Sequence, residues 1–238
     1  MRTRTAVWLF ACGWLVLLLA ACSAPPASAL RLGSTLWTYQ GASGVFTAAW
    51  SPGGKYLALG EADGTVQVRD AVRGTLTFSL YGHTGAVWAL AWSPDGKRLA
   101  SASWDATVRV WDTATGHLLL TYRGHTGEVL TVAWSPDGTR LATAGSDRTV
   151  QVWNAALGQH LYTYRGHDAT VAALAWSPDG THIASASFDH TVQVWDASTG
   201  EHAFTYRGHN TIVGALAWSP NGERIVSVAD EVRVWQAS

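Results

Sequence analysis

From Ser34 onward the chain alternates short stretches, in which every second residue is apolar, with clusters of Gly, Pro, Asp and Ser. Between Leu76 and Trp111 there are four such stretches: Leu76 to Leu80, Val87 to Trp92, Leu99 to Ser103 and Thr107 to Trp111. Gly82-His83, Ser93-Pro94-Asp95-Gly96 and a turn ending in Asp105 separate them. A period of two over about five residues, bounded by turn formers, predicts strands with one face buried, and consecutive strands joined this tightly form a small antiparallel sheet.

The same pattern then recurs. Trp50, Trp92, Trp134, Trp176 and Trp218 each open a Trp-Ser-Pro turn and stand 42 residues apart. A period of about 40 to 45 residues marks an array in which each unit forms one four-stranded blade of a propeller. The five units also align with one another. Val45, Val87, Val129, Val171 and Val213 never change, nor do Ala49, Ala91, Ala133, Ala175 and Ala217. Identity in every unit means that geometry sets the position: small Ala lets sheets approach, and each Trp buries roughly 150 to 250 Å². A second repeated set is polar: His83, Ser101, Asp105 and Trp111 match His125, Thr143, Asp147 and Trp153, then His167, Ser185, Asp189 and Trp195.

Four Gly-His pairs and five Trp-Ser-Pro turns in phase, with Trp111-Asp112 closing a unit, resemble the WD-repeat β-propeller family over about Ser34 to Gln236. The resemblance implies an all-β, five-bladed propeller of four-stranded antiparallel blades. It implies that each polar quartet is a buried relay from Asp to His to Ser or Thr to the Trp indole. Ser34 to Tyr39 matches Leu119-Leu120-Thr121-Tyr122, and in the family such an N-terminal outer strand completes the final blade and closes the ring. A partial ring that needs a partner chain is the alternative. The pattern decays at both ends: the first unit has Ala42 for His, Leu59 for Ser and Arg69 for Trp, and the last has lost two residues before Val232, so Asp230 falls out of line with Asp189. The weak seam is expected where those two units meet.

Variable columns are where function is expected. The second residue of the innermost strand is Phe46, Trp88, Leu130, Ala172 or Gly214, and the residue before the turn Asp is Ala62, Trp104, Ser146 or Phe188. By the resemblance both columns rim the central opening on the Gly-His face, which makes Phe46, Trp88, Trp104, Leu130 and Phe188 candidate anchors for protein or peptide partners. The alternative is that some of these side chains fold back over the channel mouth. Catalysis is not expected, because a nucleophile must face a cleft and one site suffices, whereas the Ser-His-Asp sets recur around the ring with each hydroxyl engaged by an indole. An enzyme with carboxylates at the channel remains the other class of reading, with Glu128 the only acid at the strand entrances. A repeat protein that serves solely in self-association is a third. No metal site is expected, since the Gly-His histidines sit one to a unit and cannot converge on one ion. His117, His160, His182 and His202 are read as solvated surface, and no cofactor is expected.

The first residues differ in kind. Arg2 and Arg4 precede an apolar run from Ala6 to Ala20, 15 residues long and short of the roughly 20 a spanning helix needs. Leu19-Ala20-Ala21-Cys22 resembles the bacterial lipoprotein box, so residues 1–21 are expected to be a signal peptide, Cys22 a lipidated N-terminus, 22–33 a short tether and 34–238 the repeat domain. Ala27-Ser28-Ala29 offers an ordinary cleavage site, and with it a freely secreted protein, as the alternative. The other cysteine, Cys12, lies in the leader, so the domain has no thiol for a disulfide or metal. Of 16 basic residues, losing Arg2 and Arg4 leaves 14 against 17 acidic, a formal charge of −3, which does not attract nucleic acid. Together these readings anticipate a binding module in the cell envelope, touching the membrane through lipid alone.

Overall fold

The structure, a computed structural model, describes residues 33–237; the expected signal peptide, Cys22 and most of the tether lie outside the described residues. Among the described residues nineteen strands follow one another through short turns. Blade 1 contains β1 (Val45–Trp50), β2 (Tyr56–Glu61), β3 (Val66–Asp70) and β4 (Leu76–Leu80). Blade 2 contains β5 (Val87–Trp92), β6 (Arg98–Ser103), β7 (Val108–Asp112) and β8 (Leu118–Tyr122). Blade 3 contains β9 (Val129–Trp134), β10 (Arg140–Gly145), β11 (Val150–Asn154) and β12 (His160–Tyr164). Blade 4 contains β13 (Val171–Trp176), β14 (His182–Ser187), β15 (Val192–Asp196) and β16 (His202–Tyr206). Blade 5 has only three strands, β17 (Ala215–Trp218), β18 (Arg224–Val228) and β19 (Val232–Gln236). Every sheet is an antiparallel meander in sequence order, and every described blade pairs its first strand with its second and its second with its third.

The turn after each conserved Trp explains why the strands reverse there. In blade 2 the Ser93 hydroxyl donates to Asp95 at 2.5 Å and accepts from the Arg98 amide at 2.9 Å, so the turn satisfies its own polar groups. Gly96 takes a φ of 70°, which an L side chain adopts only at a cost of about 1–2 kcal/mol.

Apolar side chains collect between blades rather than within them. One buried cluster joins Val108 and Val110 of blade 2 to Val129 and Trp134 of blade 3, and equivalent clusters fill the other junctions from blade 1 to blade 5. Each junction is closed by the same hydrogen bond. The indole N–H of Trp92, Trp134, Trp176 and Trp218 donates to the carbonyl of Ala49, Ala91, Ala133 and Ala175 in the preceding blade, at 3.0, 2.9, 3.2 and 3.1 Å.

The expected closure is not made. Residues 34–39 form no strand and do not pair with β19, which leaves the last blade one strand short of the four expected. The segment lies on blade 1 instead. The Trp37 indole donates to the Ala71 carbonyl at 3.0 Å, Gln67 donates to the Tyr39 hydroxyl at 2.6 Å, and that hydroxyl donates to Glu61 at 2.7 Å. These contacts hold the segment against blade 1. At the seam Val45 is 40% exposed, whereas Val87, Val129, Val171 and Val213 are fully buried.

Candidate functional site

The polar quartets come first because they fix the loops that carry the variable residues. In blade 2 the His83 Nδ1–H donates to Asp105 Oδ2 at 2.8 Å, the Ser101 hydroxyl donates to His83 Nε2 at 2.8 Å, and the Trp111 indole donates to Ser101 at 2.8 Å. Blade 3 repeats this with His125–Asp147 at 2.8 Å, His125–Thr143 at 2.8 Å and Trp153–Thr143 at 3.2 Å. Blade 4 brings together His167, Asp189 and Ser185 at 2.7 and 2.8 Å, but the Trp195 indole nitrogen finds no acceptor, so the chain of bonds stops one step short of the expected quartet. Burial acts on Asp147 to raise its pKa, and the hydrogen bonds from His125 and Thr149 outweigh it, bringing the carboxyl down to about 2. Asp105 and Asp189 are lowered by the same balance.

Asp, His and Ser in this order have the connectivity of a hydrolytic triad, yet Ser101, Thr143 and Ser185 are fully buried inside the sheets. No substrate carbonyl can approach an oxygen enclosed in this way, and the bonds serve to tie the Gly-His loop to the third strand. Among the described residues no three His, Cys, Asp or Glu side chains come close enough to share a metal ion.

The end blades show what the pattern loses. In blade 5 His209 bonds Ser227 at 2.7 Å, but Asp230 bonds Thr211 instead, and the buried His209 Nδ1 is left without a partner. Burial, reinforced by the charge of Arg233, pushes the His209 pKa below the ordinary imidazole range. Blade 1 substitutes a different network. Arg69, in the Trp column, lies 4.0 Å over the Tyr39 ring and donates to Gln67, while buried Glu61 accepts from Tyr39 and Ser43. No repeated column announces Glu61, and the sequence reading missed it. Arg98 and Arg140 stand in the column of His182, which is read from the sequence as solvated surface. Arg98 lies 4.6 Å over the Trp134 ring and donates to the Gly138 carbonyl at 2.8 Å, and Arg140 lies 4.8 Å over Trp176, so both reach across a junction.

The variable column sits at a backbone irregularity. Val87 is opposite Ser103 and Ala89 is opposite Ala102, which makes Trp88 the extra residue of a β-bulge. Phe46, Leu130 and Ala172 occupy the same bulge in blades 1, 3 and 4. A bulge frees its extra residue from the in-and-out alternation and re-aims its side chain, so these positions can change without disturbing the sheet. The bulge is invisible in the sequence because blades 1 to 4 all carry it, so the repeat length does not change; the signal available was the variability of the column beside an invariant Val.

Phe46 and Trp88 on their bulges and Trp104 in the loop after β6 meet as one cluster. Ring centroids are 5.3 Å apart for Phe46–Trp88 in an edge arrangement, 5.9 Å for Phe46–Trp104, and 5.1 Å for the stacked pair Trp88–Trp104. Phe46 is 42% and Trp104 41% exposed, so the cluster presents ring surface to solvent while its members hold each other in place. Leu130 and Phe188 are half-buried. Three of the five candidate anchors therefore form one aromatic group across blades 1 and 2.

Five β-meander units with the same Trp-Ser-Pro turn, the His–Asp pair in the three central ones, define a repeat-blade protein whose rim varies. The chain matches the family described as WD domain, G-beta repeat, over residues 33–70, 74–112, 116–154, 158–196 and 200–236, and it belongs to that family. Comparison with curated proteins finds no match. Repeats of this family generally mediate protein–protein interaction and are typically non-catalytic scaffolds.

Proposed function

We propose that this chain is a non-catalytic binding and assembly scaffold for protein or peptide partners, displayed at a membrane surface by lipid on Cys22. The observation that carries the binding reading is the Phe46–Trp88–Trp104 cluster. Large rings that are ordered by one another yet half exposed lose little freedom on docking, which is the physical basis of an interface anchor. The membrane reading rests on the Leu19-Ala20-Ala21-Cys22 sequence alone. A tether of residues 22–33 reaches at most about 40 Å at roughly 3.3–3.6 Å per residue, which would confine partner capture to the neighbourhood of the bilayer.

The test replaces Phe46 by Ala and Trp104 by Ser, residues that the chain itself uses in the same columns as Ala172 and Ser146. Cross-linking in intact envelopes, read by mass spectrometry, should lose specific partners by tenfold or more while the unfolding midpoint stays put. The exposed opposite-rim substitution His160→Ala should change nothing. Unaltered capture by the double variant would refute the cluster as the docking site.

A further inference from the structure

The four interior junctions are copies of one interface, and both halves of a fifth copy are present but apart. Blade 1 offers the half that receives a preceding blade: Val45 is 40% exposed and Trp50 57%, and the Trp50 indole has no acceptor among the described residues, while its counterparts Trp92, Trp134, Trp176 and Trp218 all bond an Ala carbonyl. Blade 5 offers the opposite half. Val232 and Val234 of β19 are 66% and 64% exposed, whereas Val108 and Val110, or Val150 and Val152, in the same columns are fully buried against the next blade.

Two strand pieces are unpaired in the same complementary way. Among the described residues β19 has no outer strand. Residues 34–39 have no third strand beside them, yet they already occupy an outer strand's place against blade 1. Trp37 bonds the Ala71 carbonyl as Tyr162 of β12 bonds that of Ala197, and Tyr39 bonds Gln67 as Tyr122 of β8 bonds Gln151. In both interior cases the tyrosine belongs to the blade before. Residues 34–39 thus stand as the fourth strand of a blade whose other three strands are missing from that end of the molecule.

We propose that the occupant of this surface is a second copy of the chain, docked head to tail. Blade 5 of one molecule packs on blade 1 of the next, β19 pairs with residues 34–39 of that neighbour, and the neighbour's Trp50 indole reaches the Ala217 carbonyl. The argument for another copy, rather than closure within one chain, is the uniformity of the interior. All four interior junctions are made with the same indole–carbonyl bond, and with all of them made Val45 and Trp50 at one end and Val232 and Val234 at the other stay exposed, so the two ends of one molecule do not meet. A second copy completes the fifth junction with no junction altered, whereas internal closure requires all of them to tighten. Two unlike faces meeting in this way make a heterologous contact. The inference uses none of Phe46, Trp88 and Trp104 and does not depend on the aromatic cluster.

The experiment uses purified full-length protein in sedimentation velocity. Wild type should sediment as a species of two or more chains. Trp50→Glu and Val234→Glu change exposed side chains on opposite ends, so each should fold, with unchanged circular dichroism, and each alone should run at one chain mass. Mixed in equal amounts, they retain one good face of each kind and should form a dimer that grows no further. Wild type that stays at one chain mass at tens of micromolar overturns the proposal, and a quencher that fails to reach Trp50 in such a monomer identifies closure within the chain. A mixture that remains monomeric also overturns it.

Discussion

Replacing His125 by Ala tests how much the buried relay contributes, because blade 5 supplies an internal control. His125 links Asp147 at 2.8 Å to Thr143 at 2.8 Å and is almost wholly buried. The bond to the ionised Asp147 contributes about 1.5–3 kcal/mol and the neutral bond from Thr143 about 0.5–1.5. Removal does not leave either partner bare. Asp147 keeps the Thr126 amide and both donors of Thr149, and Thr143 keeps the Trp153 indole, which places the expected loss at about 2–3 kcal/mol. His209→Ala removes a comparable ring that bonds Ser227 but no Asp, so it should cost about 1 kcal/mol. Arg123→Ala, at an exposed position in the same loop column, should stay within about 0.5 kcal/mol. Urea unfolding followed by tryptophan fluorescence gives the three values, and hydrogen exchange locates the loss in blade 3. Equal costs for His125→Ala and His209→Ala would refute the claim that the aspartate bond is the strong link.

Three further outcomes are expected. Asp147 titrates near 2 in the folded protein against 3.8 ordinarily, so the unfolded chain binds a proton that the fold excludes; stability should hold above about pH 4 and fall as pH approaches 2, and a flat melting temperature across that window would contradict the relay's electrostatics. Arg148 sits at a φ of 65° directly after Asp147, in a column where blade 1 has Gly64, so Arg148→Gly should stabilise blade 3 by up to about 1 kcal/mol in chemical denaturation, and a clear loss would show that the side chain has a role its geometry does not reveal. Cys22→Ala should abolish incorporation of an acyl label in bacteria that process such leaders, whereas an unmodified mature chain beginning at Leu30 in the parent protein would establish secretion instead.

The scaffold was readable because each repeat column answers to the same surroundings in every blade. Val87, Val129 and Val171 are invariant because each fills the same junction, and the His-Asp pairs recur because each ties the same loop to the same strand. The Asp230 slippage was legible too, since losing two residues moves a side chain about 6–7 Å along an extended chain at 3.3–3.6 Å per residue, out of reach of His209. Closure was not legible. Val45 carries the same letter as its counterparts, and a letter records what a face needs, not whether the face is met. Whether five blades come round depends on small rotations accumulated over four junctions, and no single column encodes that sum. The aromatic trio was only half legible: two variable columns marked its members, but their meeting across blades 1 and 2 depends on the bulges that re-aim Phe46 and Trp88. Glu61 shares its column with Ser103, Gly145 and Ser187, none of them acidic, so nothing in the repeat pointed to a buried carboxylate there.

The strand registers of the central blades superimpose at a shift of 42 residues: Arg98 faces Asp112, Arg140 faces Asn154 and His182 faces Asp196. Each of these units makes its bonds within itself and with its immediate neighbours, as a one-dimensional array does. Duplicating the stretch from one Trp-Ser-Pro turn to the next would therefore yield a longer protein in which every new boundary is one the chain already knows how to form. A sealed ring resists such growth, because one additional unit changes the angle demanded at all its boundaries together. An array with a free boundary lets unequal recombination add or remove whole units as single, immediately foldable events, and each added unit brings a fresh bulge position on which a new contact residue can be tried.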